Sequence, residues 1–310
     1  GATGATGSST PTSVNRIYVA NFGSNNVSVI DGNSNSVIAT VPVGTNPIGV
    51  GVNPTTNRIY VANTTSNNVS VIDGNSNSVI ATVPVGTNPY AVGVNPTTNR
   101  IYVSNSASTS NNVSVIDGLS NSVIATVPVG TNPLGVGVNP TTNRIYVANS
   151  AGTSNNVSVI DGLSNSVIAT IPVGTFPIGV GINPTTNRIY VANIGTGNVS
   201  VIDGLSNSVI TTVPVGINPD GVGVNPTTNR IYVANNAGNN VSVIDGNSNS
   251  VIATIPVGTS PEGVGVNPLT NGVYVANLSS NNVSVISGNK NSVITTVPVG
   301  TIPRGIGVNP

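Results

Sequence analysis

Short apolar runs separated by polar turns fill this chain, and no window shows a helical apolar period. The stretch from Pro47 to Asn88, PIGVGVNPTTNRIYVANTTSNNVSVIDGNSNSVIATVPVGTN, holds four runs rich in Val, Ile, Tyr and Thr. They lie at about Gly49–Val52, Arg58–Ala62, Asn68–Asp73 and Ser78–Val85, here strands A to D. Asn-Pro-Thr-Thr-Asn, a variable Asn/Ser/Thr loop, Asp-Gly-Asn-Ser-Asn and Gly-Thr-Asn-Pro connect them, all of hairpin length, so neighbours should meander antiparallel. The IYVAN-type segment recurs at Tyr18, Tyr60, Tyr102, Tyr146, Tyr190, Tyr232 and Tyr274, at spacings of 42, 42, 44, 44, 42 and 42 residues. A period of that length marks one supersecondary unit stacked on copies of itself.

Proline and glycine order the strands. Pro84 interrupts the Val83-Pro84-Val85 run, where a missing N–H is tolerable only on an edge, so D is the outer strand. Strand A is short and holds Gly49 and Gly51, which suits strands converging on an axis. A sheet with a tight inner strand and an edge-tolerant outer one is a propeller blade. Seven tyrosine segments predict an all-β, seven-bladed β-propeller with four antiparallel strands per blade, or about 28 strands. The first strand is a B strand, Arg16–Ala20, and the last an A strand, Gly305–Asn309, so the two should pair and close the ring.

IYVAN, NNVSVIDG and VIATVPVGTNP resemble the YVTN β-propeller repeat, a set of seven-bladed propellers of archaeal and bacterial cell-surface proteins. The resemblance covers residues 14–310 and recurs in every unit. It implies the fold and an extracellular, cell-surface location. It carries over no catalytic residue, because propellers host unrelated activities.

Composition narrows the chemistry. Apolar residues make up 37% of the chain and aromatics only 3%, so Val and Ile must fill the blade interfaces. Zero net charge with eight scattered basic residues argues against nucleic-acid binding, and no apolar run approaches bilayer length, so no membrane insertion is expected. Cys, His, Met and Trp are absent, which removes disulfides, thiolates, imidazole bases and the usual transition-metal ligands; no cofactor is expected. Gly1–Ser13, GATGATGSSTPTS, is set apart as a small-residue tail ahead of the propeller at 14–310. It is expected to dock on a neighbouring subunit by strand addition.

Three sets of residues stand out. Pairing B with C places Arg16 opposite Asp31, and likewise Arg58–Asp73, Arg100–Asp117, Arg144–Asp161, Arg188–Asp203 and Arg230–Asp245, as ion pairs. Gly272 and Ser287 replace both partners in the last unit, as a paired charge would require. Asp before Gly also initiates turns, and the C–D turn lacks the late bidentate acid of a calcium loop. Asn-X-Ser/Thr sequons stand at Asn26, Asn63, Asn68, Asn112, Asn156, Asn198, Asn240, Asn277 and Asn282. The most informative set is where the units differ. The residue after the D–A proline runs Ile48, Tyr90, Leu134, Ile178, Asp220, Glu262 and Arg304, a mouth half apolar and half charged. With Phe22 and Phe176 on the same face, it is the best contact surface in the sequence.

The uniform, neutral repeats suggest a non-enzymatic extracellular or cell-surface propeller, structural or adhesive, forming a homo-oligomer or filament. The alternative is a glycan- or peptide-binding module at the polarised mouth. An enzyme is disfavoured because Asp220 and Glu262 lack an accompanying nucleophile, base or metal set.

Overall fold

The computed structural model describes residues 15–310, apart from 108, 109 and 153. The tail proposed at 1–13 lies outside the described residues. Seven four-stranded antiparallel sheets are arranged as blades, and the one helical segment among the described residues is a short 3-10 turn, Ile194–Thr196. In the second blade the strands are Pro47–Asn53, Arg58–Asn63, Asn68–Asp73 and Ser78–Pro84, paired in that order. Strand A is longer than its glycines suggest, because it runs from the D–A proline through the following asparagine. In the first blade the inner strand is the last of the chain: Pro303–Asn309 pairs with Arg16–Asn21, with Arg16 facing Asn309 and Tyr18 facing Gly307.

The core lies between blades. Strand B reads IYVA without a polar break because both its faces are covered. Tyr60, Ala62, Val69 and Val71 of one blade pack against Ile101, Val103 and Ile116 of the next, all but fully buried. Burying each such side chain is worth about 1.5–3 kcal/mol.

Near the axis the seams become a ring of valines on glycines. A Cβ on Gly51 would lie 2.7 Å from Val92 Cγ1, one on Gly93 2.8 Å from Val136 Cγ1, and one on Gly307 2.7 Å from Val50 Cγ1. The first and last of the inner strands therefore meet as all others do.

A second ring, on the face of the A–B turns, is made of asparagines, buried donors on mostly half-buried acceptors. Asn53 Nδ2 donates to Asn99 Oδ1 of the next blade at 2.8 Å, and Asn95 repeats this to Asn143 at 2.8 Å. Asn267 to Asn15 and Asn309 to Asn57, each 2.7 Å, complete the ring across the chain ends. The abundance of asparagine has a backbone cause as well: Asn57, Asn67, Asn77 and Asn88 end their turns at φ 51–53°, where asparagine is the most tolerant residue after glycine.

The register places Arg opposite Asp in six blades, and Gly272 opposite Ser287 in the seventh. The side chains then take different partners. Asp73 Oδ1 accepts the N–H groups of Asn75 at 2.8 Å and Ser76 at 2.9 Å, closing its own turn. Backbone N–H donation, led by the serine of the turn, holds these carboxyls below their ordinary range, Asp203 at about 2. With the aspartate engaged, the guanidinium of Arg58 donates across the seam to the Gly118 carbonyl and that of Arg144 to Gly204, each 3.1 Å. Among the described residues the expected Arg–Asp contact forms at Arg188–Asp203. Two of these arginines thus tie one blade to the next.

The sequons are drawn into the seams. Asn63 is fully buried and its Nδ2 donates to Asn68 Oδ1 at 2.8 Å and Ser70 Oγ at 2.9 Å; Asn277 does the same toward Asn282 and Ser284. No sugar fits on Nδ2 of Asn63 or Asn277 in the folded ring. At Asn26, Asn68, Asn112, Asn156, Asn198, Asn240 and Asn282 the sequon serine is itself buried, from Ser28 to Ser284.

Candidate functional site

Each A strand begins with a bulge. In the second blade Pro47 faces Asn63 and Val50 faces Val61, so Ile48 and Gly49 oppose Ala62 alone. The residue after the proline thereby leaves the ladder at the rim of the central channel. Glycine follows because the next blade is close: a Cβ on Gly135 would stand 1.9 Å from the Ile178 carbonyl oxygen, and one on Gly49 2.4 Å from that of Tyr90. Blade three departs from this rule, with Ala91 at the glycine position and Ser104 in strand B. Ser104 Oγ accepts the Ala91 N–H at 3.0 Å and donates to the Leu134 carbonyl at 2.6 Å.

Six of the seven divergent positions, Ile48, Tyr90, Ile178, Asp220, Glu262 and Arg304, line one cavity of about 170 Å³ on the axis. Leu134 packs behind it with Tyr90 and Ile178. Beneath, Val50, Val92, Val136, Val180, Val222, Val264 and Ile306 form the floor. Around the ring the charged residues are consecutive, and Tyr90 faces them across the axis.

The charges are not equivalent. Arg304 donates to Glu262 Oε1 at 3.1 Å, with the Glu262 side chain 10% exposed. Phe22 lies with its ring centroid 4.7 Å from the Arg304 guanidinium carbon, a cation–π contact. The Phe22 N–H bonds the Ile302 carbonyl at 3.0 Å, which fixes the loop that carries the ring. Tyr90 also lies against Arg304. The Asp220 carboxyl makes no hydrogen bond within the described residues, and the residue is half-buried, open to the channel. Burial pushes its carboxyl well above the ordinary range, the negative charge of Glu262 adds to this, and Arg304 offsets part. Burial also raises Glu262, with Arg304 opposing, and raises the Tyr90 phenol together with both carboxylates. Phe176 shares this face but is 48% exposed and does not line the cavity.

The D–A turns hold a second departure. They place Asn46, Asn88, Asn132 and Asn218 at φ 52–54°, but Phe176, Ser260 and Ile302 hold φ 52–54° in the other three. For the β-branched Ile302 this costs about 1–2 kcal/mol. Ser260 and Ile302 stand just ahead of Glu262 and Arg304.

Asp220 should show itself in stability against pH. Below the ordinary carboxylate range the folded and unfolded chains both hold its proton, and it contributes nothing. As pH rises toward the raised folded value the unfolded chain ionises freely and the folded one does not, so stability is lost. Asp220→Asn is therefore expected to raise the urea midpoint at about pH 7 and to leave it unchanged near pH 3. A variant less stable than the native chain at neutral pH would show that Asp220 holds the ring together.

Comparison with solved structures finds the same ring. The chain is similar to Kuenenia stuttgartiensis hydrazine synthase, with 21% identity and a TM-score of 0.79 over 93% of this chain and 99% of that one. It is similar to a functionally unknown protein from Desulfotomaculum acetoxidans DSM 771, with 14% identity and a TM-score of 0.83 over 95% and 98%. It is also similar to the dihydro-heme d1 dehydrogenase NirN in complex with DHE, with 15% identity and a TM-score of 0.67 over 95% and 75%. No family model and no curated protein matches the chain.

At these identities the likeness carries the fold and no chemistry. It still corrects the sequence-based expectation of function. Propellers of this shape belong to structures named for enzymes, so a uniform propeller gives no ground for a non-enzymatic, extracellular structural or adhesive part. Cell-surface, filament and glycoprotein roles gain no support from the comparisons.

Proposed function

We propose that this propeller acts through its axial mouth, as a binding site for a small molecule beside a carboxyl pair able to hold and hand over a proton. In this reading the repeat is of YVTN type, supported by the IYVAN and NNVSVIDG motifs. One observation carries the proposal: the positions where the units differ most converge on one cavity, in a ring otherwise repeated seam by seam. A left-handed isoleucine is a cost the fold does not need, and such costs collect at functional sites. A cavity of about 150 Å³ holds a molecule of benzene's size, so this one suits a compact ligand and not a glycan chain or peptide.

The test is a panel of small charged and neutral fragments screened by ligand-observed NMR against the native chain, Ile178→Trp and Ile48→Phe. Both substitutions fill the cavity from its apolar side. Fragments that bind the native chain should bind both filled variants at least about tenfold more weakly, with melting temperatures reported alongside. Fragments that bind the filled rings equally well, or no binding to the native ring, would remove the reading.

A further inference from the structure

Resting on that reading of the mouth, we propose that its ligand is a small organic ammonium ion, seated with its charged nitrogen on Asp220 and its apolar body toward Ile48 and Ile178. The charges lining the cavity are Asp220, Glu262 and Arg304, with the Tyr90 phenol opposite. Arg304 is already engaged by Glu262 at 3.1 Å and covered by the Phe22 ring at 4.7 Å. That pair is internally neutral. Asp220 is left over, and its ionised form gives the mouth one net negative charge that Arg304, paired with Glu262, offsets only in part.

An anion entering this cavity would meet two carboxyls and an arginine whose charge Glu262 already balances, with only its Nε left without a partner. The carboxylate of a zwitterion would meet the same difficulty. A neutral ligand would satisfy the apolar arc but leave Asp220 as it was. An ammonium ion supplies the missing donors and the opposite charge together, as a charge-assisted hydrogen bond. Tyr90, across the axis from Asp220, adds a phenol beside the same space. The fold has no use for an acid here, since the equivalent positions carry Ile48, Tyr90, Leu134 and Ile178.

The seating also moves a proton. Docking of the cation favours the carboxylate form of Asp220, so wherever the free carboxyl still holds its proton, that proton leaves as the ion pair forms. Affinity should therefore weaken as pH falls below the value at which free Asp220 titrates.

The probes are n-butylammonium, 1-butanol and butyrate, three bodies of similar size that differ in charge. Their binding to the full chain is measured by NMR titration at about pH 7.5 and about pH 5. Calorimetry in buffers of different ionisation enthalpy counts the protons released. We expect butylammonium to bind at least about tenfold more tightly than butanol, and more weakly at the lower pH with proton release. Asp220→Asn should bring butylammonium down to the level of butanol and leave butanol unchanged. Equal affinity for butanol and butylammonium, both lost in Ile178→Trp, overturns the ammonium assignment and leaves the mouth standing. Preference for butyrate overturns it in favour of Arg304 as the anchor. Binding of all three that Ile178→Trp does not touch removes the mouth reading as well.

Discussion

Deleting Gly305–Asn309 lowers the stability of the ring by more than about 4 kcal/mol, the range reserved for loss of a buried element. The five residues are the greater part of the inner strand of the first blade, paired along Arg16, Ile17, Tyr18 and Val19. Their loss uncovers the edge of a strand buried on both faces and takes away Ile306 and Val308, which pack with Ile17, Val19 and Tyr274. It also removes Asn309 from Asn57 and leaves Val50 without Gly307 beneath it. The freed edge is a template for pairing with another chain, so aggregation should accompany the loss. Urea unfolding followed by far-UV circular dichroism checks this, against a control with Ser106–Ser110 shortened in the long B–C loop. An unchanged midpoint would mean that the other seams hold the ring without closure.

The second large effect lies where the inner strands nearly touch. Gly135→Ala should cost about 3 kcal/mol, at the upper end for overpacking, because the new methyl meets the Ile178 carbonyl oxygen at 1.9 Å and backbone cannot swing aside. The third blade shows what accompanies an alanine at this place. Ala91 coexists with Ser104, whose hydroxyl engages both the Ala91 N–H and the Leu134 carbonyl of the following blade. The residue equivalent to Ser104 in the fourth blade is Ala148. Adding Ala148→Ser to Gly135→Ala should therefore recover a large part of the loss, with a coupling of about 1–2 kcal/mol in a double-mutant cycle measured by urea unfolding. Simple additivity would show that Ala91 and Ser104 changed independently.

The fold was legible because its period, its turns and its edges each leave a residue-level mark. Pro84 marks an outer edge and Gly51 a close inner approach, and Asn77 ends a left-handed turn. The closure followed from the order of strands alone. What was not legible was which of several neighbours a side chain chooses. Arg58 faces Asp73 in register, yet the turn takes the carboxylate first and the guanidinium reaches Gly118 in the next blade. Pattern reasoning within one blade cannot see across a seam. The same limit hid the asparagine ring and made Asn63 look available when it is sealed. The mouth was visible as a list of divergent positions, but the list did not separate Arg304, paired with Glu262, from Asp220, left alone. Nor did it separate Phe22, over Arg304, from Phe176, which stands outside. The joint departure of Ala91 and Ser104 was a signal of the same kind as Gly272 with Ser287, and it is the one that went unread.

Closure has a mechanical side. Arg16 and Asn309 face each other at the same end of their antiparallel pair. A pull applied to these two residues therefore does not shear the strands along their length. It opens them one hydrogen-bonded step at a time, as a zipper is opened from its tab. The pairing whose loss is expected to unfold the ring in urea is thus one that yields step by step to a pull at Arg16 and Asn309. Tension applied elsewhere, across two B–C loops for example, would have to break several ladders at once.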